Sequence, residues 1–310
     1  MLFRSDPSLK QLDGVLVLHK PGGPTSADCL NQIKRSLGQK KIGHAGTLDP
    51  MATGVLVVLL GQGTKLANYL SEDRKTYRGT LVLGRTTDTY DVQGEIMAES
   101  PWEHLDPEAV RADILGWLGT MSQEVPPVSA AKHQGKPLYA LHRAGKEVPV
   151  KVKDVTIFDV QILSMDLPCV TFRVTCSAGT YIRSLAHSLG MRLGCGAVLS
   201  ELEREASHPF TLAQAHGLET VLESGERLHE LVLPMAQALP HWPKLALSRE
   251  QAALVQNGAW LPTSLFPEYP AQEGDRAFML SAERAPLALM EAGMRSGVLS
   301  WTILRGLWQA

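Results

Sequence analysis

Short runs of apolar and β-branched residues recur over the first two thirds of the chain and predict a fold rich in strands. Strands are predicted at residues 14–20, 55–60, 76–83, 152–163 and 169–176. In the last of these, Val170, Phe172 and Val174 alternate with polar residues, which is typical of a strand with one buried face. These runs supply the strands of the predicted main domain.

Helices are predicted where capping residues precede stretches with helical spacing. Thr25 or Ser26 can cap a helix that runs to about residue 37, where a glycine follows. Asp106, followed by a proline and a glutamate, favours a helix start, and that helix is expected to reach about residue 118. Two more helices are predicted, at residues 64–70 and 181–193.

The texture of the sequence changes near residues 239–243, where prolines and a tryptophan cluster. Beyond this point Ser248 and Gln251 form a capping box, and short strand-like pieces follow at residues 277–280, 287–290 and 298–304. This pattern predicts a main domain over residues 1–240 and a small β-rich domain over residues 241–310. A structured extension of the main core is the alternative.

Bulk composition places the chain among ordinary soluble globular proteins, with 310 residues, 44% hydrophobic and 20% charged. The longest apolar run near the start, residues 15–18, is too short for a signal peptide or a membrane span. Four cysteines without CxxC spacing indicate neither a zinc site nor a disulfide framework. We therefore expect a cytoplasmic protein with buried thiols and no membrane association.

The net charge is −2, yet the basic residues are concentrated in two segments that contain almost no acid. One covers residues 31–43. The other, over residues 132–153, sets six cations against Glu147 alone. Such segments are either solvated surface or contacts for a polyanion, and the sequence leaves both interpretations open.

A single acidic residue, Asp49, lies in the glycine-rich stretch of residues 43–54, which is predicted to be a loop. By local chemistry Asp49 opens a Leu-Asp-Pro turn, where its side chain would cap backbone amides. His44 in the same stretch is by itself more typical of a structural histidine than of a metal ligand. The nearby Gly-Gln-Gly-Thr-Lys sequence at residues 61–65 is only a weak phosphate-binding signal.

Two further motifs place an aromatic residue beside a cation. Residues 75–79 read Lys-Thr-Tyr-Arg-Gly, and residues 180–183 read Thr-Tyr-Ile-Arg. Tyr77 and Tyr181 can simply pack, and Arg183 can pair with a structural acid. Together with Asp49 they offer a stacking surface and a cation to hold a carboxylate ionised, which is what chemistry on a flipped base requires.

At this level of detail the chain resembles the TruB family, the bacterial tRNA pseudouridine-55 synthases, from about residue 13 to residue 210. Five motifs carry the resemblance in the right order and spacing: Lys20-Pro-Gly-Gly-Pro-Thr-Ser26, Gly43-His-Ala-Gly-Thr-Leu-Asp-Pro50, Lys75-Thr-Tyr-Arg-Gly79, Pro126-Pro-Val-Ser-Ala130 and Gly179-Thr-Tyr-Ile-Arg183. The resemblance implies an α+β fold: a mixed, largely antiparallel sheet with flanking helices, followed by a small PUA-like RNA-binding domain.

The resemblance also implies roles for individual residues. Asp49 would be the catalytic aspartate, Tyr77 would stack on the target base and take a proton, and Arg183 would pair with Asp49. The residues implied in binding the substrate or supporting the active-site loop are His44, Lys20, Tyr181, Leu202, Lys132 and Arg143, the last two in an RNA-gripping insertion at residues 126–151. Glu203 departs from the basic residues that the family tends to have after Leu202, which puts a phosphate contact there in doubt.

The function implied is isomerisation of uridine to pseudouridine in the T-loop of tRNA, by base flipping and aspartate catalysis. An isomerisation needs one carboxylate and no metal or other cofactor. Attack at C1′, addition to C6 and proton removal from C2′ all remain possible. We expect a monomer that binds the T-stem-loop of tRNA without an obligatory protein partner. The alternatives are a guide-RNA-dependent rRNA pseudouridine synthase, a non-catalytic tRNA-folding chaperone and, more remotely, a phosphate-binding metabolic enzyme.

Overall fold

An eleven-stranded mixed sheet runs through the main part of the chain, in a computed structural model that describes residues 11–129, 131–138, 141, 144 and 149–308. Its strands are β1 (Gly14–Lys20), β2 (Ile42–Ala45), β3 (Thr53–Leu60), β4 (Lys75–Leu83), β7 (Gly119–Glu124), β10 (Val152–Asp166), β11 (Cys169–Cys176), β12 (Ala197–Ser207), β13 (Phe210–Thr211), β14 (His216–Gly217) and β15 (Val232–Leu233). Two small hairpins pair β5 (Arg85–Thr87) with β6 (Ile96–Glu99), and β8 (Lys132–His133) with β9 (Lys136–Pro137).

The order along the sheet is β14-β1-β3-β12-β4-β11-β10-β7. From β12 to β7 every neighbouring pair is antiparallel, whereas β3 and β12 meet in parallel over only two residue pairs. One of these pairs sets Gly54 against Arg204. A Cβ at Gly54 would lie 2.3 Å from the Arg204 carbonyl oxygen, and the residue has a φ of +99°. Glycine is therefore required where the two parts of the sheet join.

Seven α-helices flank the sheet or connect its strands in the described part of the chain. They are α1 (Ser26–Ser36), α2 (Ala67–Ser71), α3 (Pro107–Leu115), α4 (Ile182–Leu193), α5 (Leu218–Glu223), α6 (Leu228–Leu231) and α7 (Arg249–Gln256). Thr25 caps α1 in a capping box with Asp28, as the sequence predicts.

Some predicted elements differ from the structure at their ends. Helix α3 stops three residues earlier than predicted, because Gly116 occupies its C-cap and the buried Trp117 turns into the core. The helix predicted at 64–70 is a 3₁₀ helix, Gly61–Leu66, followed by α2. The loop predicted at 43–54 is shorter, because β2 already pairs with β3 through Ala45.

The sheet separates two hydrophobic cores. On β1, Leu16 and Leu18 face the core that α1, α3 and α4 cover, whereas Val15 and Val17 face the other side. Strands β1 and β3 are buried on both faces, which explains why they read as continuous apolar runs rather than as alternating ones.

A second sheet of five strands follows at the C-terminal end, in the order β16-β18-β19-β20-β17. Its strands are β16 (Lys244–Ala246), β17 (Leu261–Pro262), β18 (Arg276–Leu280), β19 (Pro286–Arg295) and β20 (Val298–Gly306). It has its own core around Trp301, and it also packs Phe278 and Leu289 against the second face of the main sheet. This agrees with a small β-rich domain that shares a core with the main one; the boundary at residue 240 stays a prediction.

No helix in the described ranges combines the length and the apolar composition needed to cross a membrane.

Candidate active site

Asp49 lies in the turn between β2 and β3, on a segment fastened to the N-terminus of α1. The buried Ser26 hydroxyl accepts a hydrogen bond from the Leu48 amide (2.9 Å) and donates one to the Leu48 carbonyl (3.0 Å). The Ala52 amide donates to the Asp49 carbonyl (3.1 Å) and closes the turn. The main chain on both sides of Asp49 is thus fixed, and the side chain remains about one-third exposed.

Lys20, at the end of β1, supports this turn by binding its main-chain carbonyls. Its ammonium donates to the carbonyls of Pro21 (2.8 Å), Pro50 (3.1 Å) and Ala52 (2.7 Å), and the side chain is fully buried. Burial lowers the pKa of Lys20, against a smaller opposite effect of Asp49. Since all three donors are engaged by main-chain oxygens, Lys20 belongs to the support of the loop.

Arg204 supports the same turn from the opposite side. Its guanidinium donates to the carbonyls of Val55 (2.7 Å) and Gly46 (3.0 Å), with a longer contact to Thr47 (3.5 Å). The side chain is only 1% exposed. Lys20 and Arg204 together hold the chain before and after Asp49 through carbonyls, which leaves the Asp49 carboxylate free for a different partner.

That partner is Arg183, in the first turn of α4. Its Nε donates to one oxygen of Asp49 (2.8 Å) and its Nη2 to the other (3.1 Å), in the two-point geometry that arginine and carboxylate form best. The remaining donors reach the carbonyls of Thr89 (2.6 Å) and Val128 (3.0 Å). The guanidinium is buried while Asp49 is half-buried, so the pair presents its acidic half toward solvent.

Asp91 is a second acid at Arg183 that the sequence analysis missed. Its carboxylate lies 3.6 Å from Arg183 Nε and is itself held by the Thr89 hydroxyl (2.8 Å) and the Gln93 amide (3.0 Å). Tyr90, which lies between Thr89 and Asp91 in sequence, stacks face to face on His187, with ring centroids 3.7 Å apart. The sequence feature that could have indicated Asp91 is the polar run at residues 86–91, which follows the strand predicted at 76–83.

Tyr77 lies on β4 directly opposite Arg204 of β12, and Leu202 shares this face of the sheet. Both Tyr77 and Leu202 are 8% exposed. Burial raises the pKa of the Tyr77 phenol, while the positive charge of the Arg204 guanidinium acts in the opposite direction. The fold thus places Tyr77 and Leu202 on one face of the sheet, with Arg204 bound to the Asp49 turn and Arg183 paired with the Asp49 carboxylate.

Tyr181 immediately precedes α4 and is pinned by its backbone. Its amide donates to the Gln123 side-chain carbonyl (2.8 Å), and the Gln123 amide group donates to the Tyr181 carbonyl (3.0 Å). The Lys153 ammonium lies 4.5 Å from the centre of the Tyr181 ring. Burial raises the pKa of this phenol as well. Tyr181 thereby connects β7 and β10, through Gln123 and Lys153, to the start of α4, which carries Arg183.

Two family models match successive parts of the chain. The model for the TruB family pseudouridylate synthase (N terminal domain) matches residues 34–182, and the tRNA pseudouridylate synthase B C-terminal domain matches residues 183–240. A relative from Nitratidesulfovibrio vulgaris (strain Miyazaki F), "tRNA pseudouridine synthase B", is 58% identical over 301 residues, 96% of this chain and 97% of its own. The protein of that name from Oleidesulfovibrio alaskensis is 56% identical and covers 98% and 99%. The chain belongs to the TruB family.

Solved structures agree with this membership and with the predicted pseudouridine synthase fold. A Cbf5-Nop10-Gar1 complex contains a chain that is 25% identical, with a TM-score of 0.72 over 98% of this chain and 91% of that one. An H/ACA RNP bound to a substrate RNA containing 2'-deoxyuridine gives a TM-score of 0.71 at 25% identity, over 96% and 85%.

The remaining predicted residues of this TruB-family chain are placed as follows. His44 is on β2 opposite Val58, and its Nδ1 is buried without a hydrogen-bond partner in the part of the chain that is described. Burial lowers the pKa of His44, and Arg204 adds to this effect, so the ring is neutral at pH 7. Arg143 and the Lys132 side chain lie outside the described residues. Glu203 is 3.7 Å from His19, on the face of β12 opposite Arg204.

Within the described ranges, no three side chains of histidine, cysteine, aspartate or glutamate are grouped as ligands.

Proposed function

We propose that this TruB-family chain isomerises uridine to pseudouridine at position 55, in the T-loop of tRNA, with Asp49 as the catalytic carboxylate. The observation that carries the proposal is the two-point pair between Arg183 and a half-exposed Asp49, beside the buried Tyr77. The relatives named tRNA pseudouridine synthase B, at 56–58% identity over nearly the whole chain, support tRNA as the substrate.

The reaction exchanges one glycosidic bond for another. The bond from C1′ to N1 of uracil breaks, the base turns, C1′ bonds to C5, and the hydrogen at C5 leaves as a proton while N1 gains one. Asp49 is the reacting group, whether it attacks C1′, adds to C6 or takes the C2′ proton. Arg183 keeps the carboxylate oriented with two donors, and because Arg183 is itself held by the carbonyls of Thr89 and Val128, this orientation persists before substrate arrives.

The target base must leave its stack before Asp49 can reach it, at a cost of a few kcal/mol. Stacking on Tyr77 recovers about 1–3 kcal/mol of this, and Leu202 closes the same face of the pocket. The neutral His44 ring on β2 lies on the segment that leads into the Asp49 turn, where it would meet the RNA around the extruded base.

Phosphate contacts supply the rest of the affinity. The acid-poor segment of residues 132–153, which includes Lys132 and Arg143, would grip the T-stem-loop together with Lys153 beside Tyr181. The protein would act in the cytoplasm, as a monomer and without a guide RNA or partner protein, in contrast to the complexes named for its structural neighbours.

The test uses the purified full chain, an unmodified tRNA transcript and no other component. Carbodiimide or mass-spectrometric mapping should find one pseudouridine, at position 55 of the T-loop. Asp49→Asn keeps the side-chain shape but removes the reacting charge, so it should abolish turnover and leave tRNA binding within a few-fold. Pseudouridine formation by this variant at the normal rate would reject Asp49 as the catalytic group.

The same experiment separates the alternatives. A guide-RNA-dependent enzyme would leave the free transcript unmodified until its partners are added. A tRNA-folding chaperone without catalysis would give no pseudouridine, and its Asp49→Asn variant would fold tRNA as well as the parent chain.

A further inference from the structure

The strand β12 carries a buried arginine whose role is not explained by packing. Arg204 is 1% exposed. Its neighbours along the strand, Glu203 and Glu205, lie on the opposite face, where they pair with His19 and Arg173. Its own hydrogen bonds go to main-chain carbonyls, and Tyr77 lies directly opposite it on β4. A buried charge costs free energy that an apolar side chain of similar size would avoid. Its position therefore calls for a reason beyond stability.

The carbonyls that Arg204 binds are placed on both sides of the catalytic aspartate. Gly46 precedes Asp49 by three positions and Val55 follows it by six, so one guanidinium spans the whole turn. Gly46 has a φ of +91°, a conformation that favours glycine, so the carbonyl that Arg204 binds sits in a turn only glycine forms readily.

The same guanidinium also lies beside the face on which a base would stack. Arg204 is directly opposite Tyr77 in the β12–β4 ladder, where facing side chains lie close together. Arg204 therefore binds the Asp49 turn while it lies directly across the ladder from Tyr77.

We propose that Arg204 is a positioning residue of the isomerisation, which holds the Tyr77 phenol and the Asp49 turn in one fixed arrangement around the extruded uridine. The inference rests on the proposed function. A base stacked on Tyr77 has its C1′ and C6 atoms at a distance from Asp49 that is set by this link, and a misplacement of about 1 Å can cost on the order of 100-fold in rate.

The test compares Arg204→Met with Arg204→Lys by single-turnover kinetics on a tRNA transcript, with binding and thermal unfolding measured in parallel. We expect the methionine variant to lose roughly 100-fold in the single-turnover rate with tRNA affinity within about three-fold. Lysine keeps the charge but lacks the planar fork, so it should recover only part of the rate. Arg173→Met is the matched control, since Arg173 is paired with Glu205 on the other face of the sheet.

A double-mutant cycle separates positioning from general loosening. Tyr77→Phe removes the phenolic hydroxyl from the residue opposite Arg204, so in this background Arg204→Lys should lower the single-turnover rate clearly less than it does in the parent chain. The inference is overturned if Arg204→Lys lowers the single-turnover rate equally in both backgrounds. It is also overturned if the Arg204 variants keep the parent rate, or if they lose tRNA affinity as strongly as they lose rate. If Arg204→Met does not fold, the cycle with Arg204→Lys decides alone. A parent chain that makes no pseudouridine rejects the proposed function instead.

Discussion

At the scale of single residues, Arg183 gathers three separate stretches of chain at one carboxylate. It binds Asp49 through both oxygens, Thr89 and Val128 through carbonyls, and it lies near the buried Asp91. Asp49 is 134 positions away from it in sequence. The turn chemistry around Asp49 predicts a capping side chain, and this local reasoning was wrong about its main partner because the arginine is supplied by a distant helix.

Another buried cation near the site, Lys75, makes folding stability depend on pH. Burial lowers the pKa of Lys75 to about 8, and Arg204 acts in the same direction. In the unfolded chain lysine titrates near 10.4. Between these values the folded state binds fewer protons than the unfolded state, so the free energy of unfolding rises with pH over this window.

We therefore expect Lys75→Met to remove a rise on the order of 2–3 kcal/mol in the free energy of unfolding between about pH 8 and pH 10.5. Urea unfolding of the parent chain and the variant at several pH values measures the difference. Lys40→Met, at an exposed position, is the control and should follow the parent curve. Parallel curves for parent and Lys75→Met would contradict the expectation.

At the scale of elements, the short segment between β2 and β3 depends on side chains from three other elements. Ser26 of α1, Lys20 of β1 and Arg204 of β12 each bind its main chain. A turn supported in this way does not need to reorganise when substrate binds, which is the condition for electrostatic catalysis by a fixed group.

Ser26→Ala tests this support. It removes both hydrogen bonds to Leu48 and leaves a buried amide unpaired, so we expect a loss of about 1–3 kcal/mol in unfolding free energy. The single-turnover rate should fall while tRNA affinity stays within a few-fold. Ser188→Ala is the control, because the Ser188 hydroxyl only returns to the Leu185 carbonyl of its own helix. An unaltered rate in a destabilised Ser26 variant would show that the turn is rigid without this anchor.

The local hydrophobic pattern predicts the bounds of a strand correctly where its burial on one or both faces is regular. Strands β1 and β11 begin and end where the sequence predicts, because their apolar positions are continuous or strictly alternating. Strand β10 extends three residues beyond its predicted end, past two irregularities in its pairing. Strand β12 was not predicted, because glutamates line its outer face and Arg204 interrupts the apolar positions of its inner face. Its pairing with β4 and β3 in the folded sheet defines it.

For the site, the family resemblance predicted Asp49, Tyr77 and Arg183, and the structure brings these three together. The family membership itself is confirmed. Asp91 and Arg204 were not predicted as site residues, because each is defined by a tertiary contact and has an ordinary charged neighbourhood in sequence.

At the scale of the whole molecule, the C-terminal sheet is coupled to the main sheet through apolar contacts. Leu307 and Phe278 are buried in the same core as Val17 and Val55 of the main sheet. Lys65 adds a polar link, since its ammonium donates to the Trp308 carbonyl (2.8 Å). The two sheets are therefore expected to unfold together.

Leu307→Ala should cost about 2–5 kcal/mol, because it leaves a cavity in this shared core. Hydrogen exchange should report the loss to a similar extent in the amides of β1 and of β20. Leu245→Ala, in the core that belongs to the C-terminal sheet alone, is the comparison. Faster exchange confined to β20 in the Leu307 variant would indicate two independently unfolding units.

The residues that bind the Asp49 turn lie at very different distances from it in sequence, and this has a consequence for the chain as it is synthesised. The turn leaves the ribosome with Lys20 and Ser26 already available, 32 and 22 positions away from the carbonyls they bind. Arg204 is 149 positions beyond Val55, and at ordinary translation rates it follows on the order of ten seconds later. A nascent chain can thus shape the turn early, but a product truncated before β12 lacks the Arg204 contacts to the carbonyls of Gly46 and Val55.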